Sequence, residues 1–436
     1  MNKKIIVAGA GHGGVTAAAI LAKKGFDVTV YEKKDRENPG FDWHDTFRIN
    51  CFDDAGIPRP PENNCKKSFP LSFTNPSKTV RISLPDTNDG TNCSVDRKYL
   101  ISYLINYAEN NGVKFVFNTE VTGIIADDNR IMGIVITEGQ QKSTVQSDLL
   151  IDSAGIDSPV RKLLPKKFMI ENELPHSSIF TTYRAYFERI SDRNPPVPYT
   201  VHLFHMKKPG ISWVIAHENH FDVLIGCFGT QLSDDDIRKA TDDIKSDNPA
   251  IGNKIIRGGS VERIPLQRTL PLIVANGYAI IGDCASMTIP IMGSGIANSI
   301  RAGRILADTV AADTNGDFTT ETLWQYQYNY FTKTGNNLVI ADKIREAATR
   351  LTADDIDYMF EKELLSQQDI ELGKNGDFNM LYILQKVIKA FPKLPKITTA
   401  AIMLSKYNSV KTTLEQIPPK YNKEQVAQWI RKYKEI

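Results

Sequence analysis

Between Lys4 and Tyr31 the pattern of apolar and polar positions changes period twice. Lys4 to Ala8, "KIIVA", is a short apolar run, the signature of a strand covered on both faces. Val15 to Lys24 is small and aliphatic at helical spacing, and Gly25 stops it. Phe26 to Tyr31 is β-branched again, so the order predicts one βαβ unit. The stretch from Phe41 to Pro85 has no clear period and predicts an irregular, partly aromatic loop. Order returns with a helix over Tyr99 to Glu109, a strand over Lys114 to Asn118 and a hairpin around Ile124 and Ile134. Leu149 to Ile151 reads as a further buried strand. Alternation from Thr181 to Val261 predicts a half-buried antiparallel sheet. "ANGYAIIGDCAS" predicts a buried strand ending at Asp283, and Ala297 to Ala311 a helix. Beyond Thr319 the pattern is helical almost to the end, without internal repeats or low-complexity segments.

Glycines punctuate the first unit in a chemically specific way. Gly9, Gly11 and Gly14 match GxGxxG between the strand and the helix. That spacing gives a tight turn, lets backbone approach a pyrophosphate and allows close helix–strand packing. The phosphates then face the free N–H groups of a helix start, with His12 and Gly13 in the same turn. Glu32, followed by Lys33, ends the second strand where an acid accepts hydrogen bonds from an adenosine ribose. An acid there disfavours a 2′-phosphate, so FAD and NAD both fit and NADP does not.

A second glycine-rich stretch, "GDCASMTIPIMGSGI", begins at Gly282. Its spacing does not match GxGxxG, and "RGGSVERI" at Arg257 also lacks the spacing and a following helix. No second nucleotide domain is therefore expected, and electrons would come from NAD(P)H bound transiently or from a protein partner such as ferredoxin.

Composition changes this picture only in places. The 436 residues, 41% of them apolar, exceed a usual single core, so two or three units are expected. No apolar run is long enough for a transmembrane helix, and the N-terminal lysines precede a strand rather than a signal peptide. The five cysteines are scattered and odd in number, which argues against a disulfide framework and for a reducing, cytoplasmic setting. Net charge is +2, giving no reason to expect nucleic acid. From Leu381 to the end, however, 11 Lys and Arg face three Glu, so this tail is a candidate for peripheral membrane contact.

Four stretches, "GAGHGG" with Glu32, "VDRKYL", "IDSAGIDSPVR" and "GDCASMTIPIMGSGIANSIRAGRILAD", together resemble the flavoproteins of the p-hydroxybenzoate hydroxylase fold, and within them the geranylgeranyl reductase group. The resemblance implies an α/β Rossmann-type FAD-binding domain (1–70, 95–165 and 262–315), an antiparallel β substrate domain (71–94 and 166–261) and a helical C-terminal region (316–436). It implies FAD held at the ADP end by Gly9, Gly11, Gly14 and Glu32. At the flavin end it implies Arg97, Asp283 and the backbone of Gly293, Ser294, Gly295 and Ile296, with Val121 a further cofactor contact. Two departures stand out. Ala154 occupies a position where the hydroxylases carry an acid linked to NADPH handling. "PGISWVIAHE" keeps Pro209, Gly210 and Trp213 of the reductases' substrate motif but changes the rest. The implied reaction is flavin-mediated reduction of a C=C bond in an apolar, isoprenoid- or lipid-like substrate, with Trp213 and Pro290 as substrate contacts. A monooxygenase using NAD(P)H and oxygen, and a non-catalytic flavin- or lipid-binding protein, are the alternatives.

Other candidates are weaker. His44 and Asp45 could supply a proton to a reduced substrate, and Cys51 and Cys65 could lie near the cavity. His202-x-x-His205 and His217-x-x-His220 suggest metal, but i and i+3 point to opposite faces of a strand, so no metal is expected.

Overall fold

The computed structural model describes residues 3–66, 70–84, 91–229, 231–364, 366–367 and 407–436. The first βαβ unit forms as expected: Lys4–Ala8 and Asp27–Tyr31 pair in parallel, joined through helix His12–Lys23. They sit in a six-stranded sheet whose spatial order is Val274–Ala275, Tyr278–Ile280, Leu149–Asp152, Lys4–Ala8, Asp27–Tyr31, Lys114–Val116. Ile5, Ile6 and Val7 are fully buried, which explains why that run carries no polar residue. The strand predicted to end at Asp283 ends at Ile280, because Gly282 turns the chain with φ +72° into a short 3₁₀ turn, Gly282–Ala285.

Helix His12–Lys23 lies against helix Ile296–Ala312 at a contact only glycine permits. A Cβ on Gly13 would lie 2.7 Å from the Ser299 carbonyl oxygen, and one on Gly303 would lie 2.6 Å from the Gly13 carbonyl oxygen. Both glycines thus bring two helix starts side by side beyond the C-terminal end of the interior strand Lys4–Ala8.

The second sheet has seven strands in the order Ile251–Pro265, Ile179–Arg189, His220–Phe228, Gly210–Ala216, Tyr199–Leu203, Leu71–Thr74, Arg81–Ser83. It is antiparallel as expected except where Tyr199–Leu203 and Leu71–Thr74 run parallel. One face packs Tyr183, Ala185, Phe187, Val223 and Ile225 into a core that also takes Ala240 and Ile244 of helix Asp234–Asp247. The alternate residues, Thr182, Arg184, Asp222 and Leu224, line a cavity instead.

The described residues of the 41–84 stretch, 41–66 and 70–84, are more regular than their composition suggests. His44–Arg48 is a strand with only Phe47 buried, and it pairs with Asn92–Asp96 in a separate two-stranded sheet. Residues 92–94 therefore lie outside the seven-stranded sheet to which the 71–94 segment was expected to belong. Cys65 and Cys93 are joined as a disulfide beside the Lys66–Ser94 bridge, against the expectation of unpaired cysteines. Distance along the chain concealed a pairing that the β-bridge creates.

C-terminal to the six-stranded sheet the described residues are helical: Thr320–Tyr330, Asn336–Ala348, Ala353–Glu361, Tyr407–Glu415 and Lys423–Glu435. A π-helical turn, Phe331–Gly335, links the first two. Phe331 meets Trp429 and Tyr433 edge-on at 5.3 and 5.7 Å, and the Tyr433 hydroxyl donates to the Thr269 carbonyl at 2.7 Å, which pins the last helix to the body. Residues 381–406, the first part of the tail expected to approach a membrane, lie outside the described residues. Among the described residues no helix is long and apolar enough to cross a membrane.

Candidate active site

A cavity of about 1680 Å³ runs between the two sheets. Both helix starts brought together by Gly13 and Gly303 open onto it: Gly11 to Gly13 at one, Gly293 to Ile296 at the other. Neither helix has a side-chain cap or an acidic residue in its first turn. Six other helices are capped by Asp96, Ser158, Ser233, Thr319, Thr352 and Asn422, while Cys51–Ala55 has acids in its first turn and Asn336–Ala348 continues from the π-helical turn before it. The uncapped N–H groups and the positive dipole ends suit an anion.

The end of the cavity at Gly9–Gly14 is shaped by the glycines. A Cβ on Gly11 would lie 2.5 Å from the Ser153 hydroxyl, so the chain is drawn against the next strand. Glu32 accepts from the Ala10 N–H at 2.7 Å and from the Lys34 N–H at 2.9 Å, so its carboxylate holds the loop as well as facing the cavity. Lys33 and Val121 also line it. His12 is buried, its Nε2 has no protein partner, and burial, with Arg97 second, keeps its imidazole well below the ordinary pKa. Arg97 likewise has a buried Nε without a partner, while its guanidinium lies 4.6 Å over the Phe41 ring.

At the other end, Asp283 accepts from Thr288 at 2.7 Å. Gly295 is pressed against the same threonine, a Cβ there lying 2.5 Å from its hydroxyl. Gly293, φ +68°, and Gly155, φ +84°, face open space with nothing within 4 Å of a Cβ. Uncapped helix starts, two orphaned buried nitrogens and glycines open to the cavity fit an extended dinucleotide. The residues at Gly9–Gly14 and Glu32 would hold its ADP half, and those at Asp283 and Gly293–Ile296 its flavin. Behind this wall Asp152 is buried and accepts from Ser158 at 2.5 Å and Tyr278 at 2.9 Å, which fixes the turn containing Ala154.

Sequence patterning missed the polar centre of the cavity. Arg184 and Asp222, side chains 6% and 1% exposed, form a two-pronged ion pair at 2.9 and 2.5 Å. Burial opposes the Arg184 charge, but Asp222 beside it prevails and holds its pKa above the ordinary value. Arg184 also reaches Asp45 at 3.3 Å, and Asp45 accepts from Arg97 at 2.7 Å. This chain of charges joins the seven-stranded sheet to the start of helix Arg97–Asn110. The Arg184 guanidinium is flanked by Trp213 at 5.2 Å and Trp43 at 5.6 Å. The signal was present as opposite charges on inward positions of two alternating strands.

The weaker candidates separate. His44 lines the cavity, and burial lowers its pKa to about 4. Asp45 is taken up by its two arginines. Cys51 is fully buried away from the cavity lining, and burial pushes its thiol up to about 12, so it is a packing residue. Cys65 is in the disulfide. Trp213 and Pro290 both line the cavity. The histidine pairs do come together, contrary to the strand argument, because each straddles a turn. His202 and His205 rings are 5.5 Å apart across left-handed Phe204, and His217 and His220 stack at 4.4 Å across a strand-to-strand turn. His202 is bound to Thr74, and His205 to Ser212 and Asp243, each at 2.8 Å. No metal-holding group occurs among the described residues.

Residues 2–330 match the family model described as "FAD binding domain". Among curated relatives, digeranylgeranylglycerophospholipid reductase 1 of Methanococcoides burtonii is 23% identical over 408 residues, 89% of this chain and 93% of that protein. The reductase of the same name from Sulfolobus acidocaldarius is 21% identical, covering 96% of this chain and 92% of its own length. Among solved structures, a geranylgeranyl bacteriochlorophyll reductase-like protein from Thermoplasma acidophilum superposes with a TM-score of 0.75 at 18% identity, over 94% of this chain and 99% of that one. A flavin-dependent brominase, Bmp2, shares the fold with a TM-score of 0.61 at 16% identity, over 94% and 100%.

Proposed function

Since this chain belongs to the FAD binding domain family and is an FAD-dependent oxidoreductase of geranylgeranyl reductase-like fold, we propose that it saturates a C=C bond of an isoprenoid chain carried on a lipid. One observation supports this most. The cavity continues from the Gly293–Ile296 turn into an apolar arm lined by Phe204, Leu338, Ala341, Leu351, Ile356 and Met359. Its volume of about 1680 Å³ exceeds the roughly 300–1,000 Å³ usual for one small ligand, so there is room for a dinucleotide and a long apolar chain together. The curated relatives act, by name, on a digeranylgeranyl glycerophospholipid, an occupant of that kind.

Bound FAD supplies hydride transfer, a chemistry no side chain offers. The protein's own work is placement and environment. The start of helix Ile296–Ala312 would favour negative charge on a flavin held at Gly293–Ile296. The apolar arm excludes water from the reacting bond. Arg184, locked to Asp222 and Asp45, keeps the polar centre fixed while a chain slides past it. Electrons come from outside, from NAD(P)H or a partner protein such as ferredoxin.

The test is direct. Flavin-loaded protein, reduced with dithionite under argon, is mixed with a geranylgeranyl glycerophospholipid, and the lipid is analysed by mass spectrometry. Gain of two hydrogens per double bond, with reoxidation of the flavin, is expected. Unchanged lipid would overturn the proposal, as would, in a parallel run in air with NAD(P)H, oxygen uptake in step with an oxygenated product.

A further inference from the structure

We propose that Tyr186 is a positioning residue that fixes His44 as the neutral Nε2–H tautomer, making His44 the proton donor at the cavity. The inference rests on the reductive reading above. Tyr186 and His44 meet twice: the His44 backbone N–H donates to the Tyr186 oxygen at 2.8 Å, and His44 Nδ1 lies 3.2 Å from the same oxygen. That oxygen accepts from the His44 backbone and has one hydrogen to give, and in the proposed arrangement it gives it to Nδ1, the ring nitrogen within reach. Nδ1 is then the acceptor, and the ring hydrogen belongs on Nε2. His44 lines the cavity, so Nε2–H is the donor it has to offer there.

The surroundings hold this arrangement. The Tyr186 ring is stacked on His220 at 4.9 Å and lies beside His44 at 6.3 Å. The charged groups around His44 come from three sides: Arg184 on the strand of Tyr186, Arg257 on the next strand, and Asp96 and Lys66 opposite. Burial first, then Lys66, lowers the His44 pKa to about 4, so the imidazole is neutral near pH 7. Burial and Asp222 hold the Tyr186 proton in place at rest.

Saturation of a C=C bond consumes a hydride and a proton. When hydride forms the first C–H bond, the π bond breaks and its electron pair passes to the second carbon. That pair takes the Nε2 proton as Nδ1 takes the hydroxyl proton of Tyr186. The imidazole ends neutral in the other tautomer. The negative charge rests on the Tyr186 oxygen, where the His44 N–H donates and Arg257 lies 5.4 Å over the ring, until water returns a proton.

Tautomers are read from ¹⁵N-imidazole NMR of histidine-labelled, FAD-loaded protein near neutral pH, with the His44 signals among seven histidines assigned by their loss in His44→Gln. Wild type should show Nε2 protonated and Nδ1 bare, and Tyr186→Phe should show a mixture. Tyr186→Phe should keep its flavin and lower kcat at least tenfold with KM little changed. An Nδ1–H signal in wild type, an unchanged tautomer in Tyr186→Phe, or unchanged kcat in both variants would overturn the inference while leaving the reductase reading in place. Conversely, the expected tautomers without any saturated lipid would remove that reading and, with it, the proton-donor role.

Discussion

A methyl group in place of a hydrogen at Gly11 would lie 2.5 Å from the Ser153 hydroxyl and 2.9 Å from its carbonyl oxygen. The carbonyl belongs to backbone and cannot swing aside, so Gly11→Ala should cost about 1–3 kcal/mol and abolish most flavin retention. Gly293 faces open space, and its φ of +68° is the sole obstacle to a side chain. Gly293→Ala should therefore cost only about 1 kcal/mol of strain. Urea midpoints and visible absorbance per chain distinguish the two. This difference explains what could be read in advance. Gly9, Gly11 and Gly14 were legible because a steric requirement writes itself as a residue type. The bond from Ala10 to Glu32 was not, since any acid at that place would have been assigned to a ribose alone.

At the scale of elements, the two strands Ile179–Arg189 and His220–Phe228 carry the argument. Alternation revealed which residues share a face, and the face away from helix Asp234–Asp247 became the cavity roof. Register decided the rest. Tyr186 pairs with Asp222 and Arg184 with Leu224, so Arg184 and Asp222 meet diagonally on one face. Removing the carboxylate with Asp222→Ala would leave the buried guanidinium with Asp45 as its remaining anion, and a loss of about 3 kcal/mol, the low end for a broken buried pair, is expected in a urea titration. The short strand His44–Arg48 escaped detection for the opposite reason: four of its five residues are polar and only Phe47 reaches the core. The histidine pairs taught a related lesson. Spacing was judged as if each pair lay in one strand, whereas turns at Phe204 and between His217 and His220 reverse the facing.

Across the whole molecule, burial of imidazoles sets a pH limit. His44 and His217 are lowered by burial to about 4, and His202 to about 3, from an ordinary 6.5. Between 6.5 and those values the unfolded chain binds protons that the fold refuses, so stability is full above about pH 6.5 and falls as pH drops through this window. Each histidine contributes a slope of at most about 1.4 kcal/mol per pH unit, and urea midpoints measured across the range should be flat above it and decline below. The cavity as a whole was only half legible in the sequence. Its nucleotide end follows from local motifs. Its apolar arm joins Phe204 to Ile356 and Leu338, contacts between segments more than a hundred residues apart that leave no local pattern. The mutual fit of Gly13 and Gly303 has a metric consequence. Because the two helices touch backbone to backbone, the gap between their starts is a fixed length, and the protein acts as a gauge for its ligand. A molecule spanning both marks gains an effective concentration for its second contact that two fragments lack. Calorimetry should therefore find FAD bound at least a hundredfold more tightly than FMN or ADP, and the advantage should shrink when Gly303→Ala pushes the gauge open.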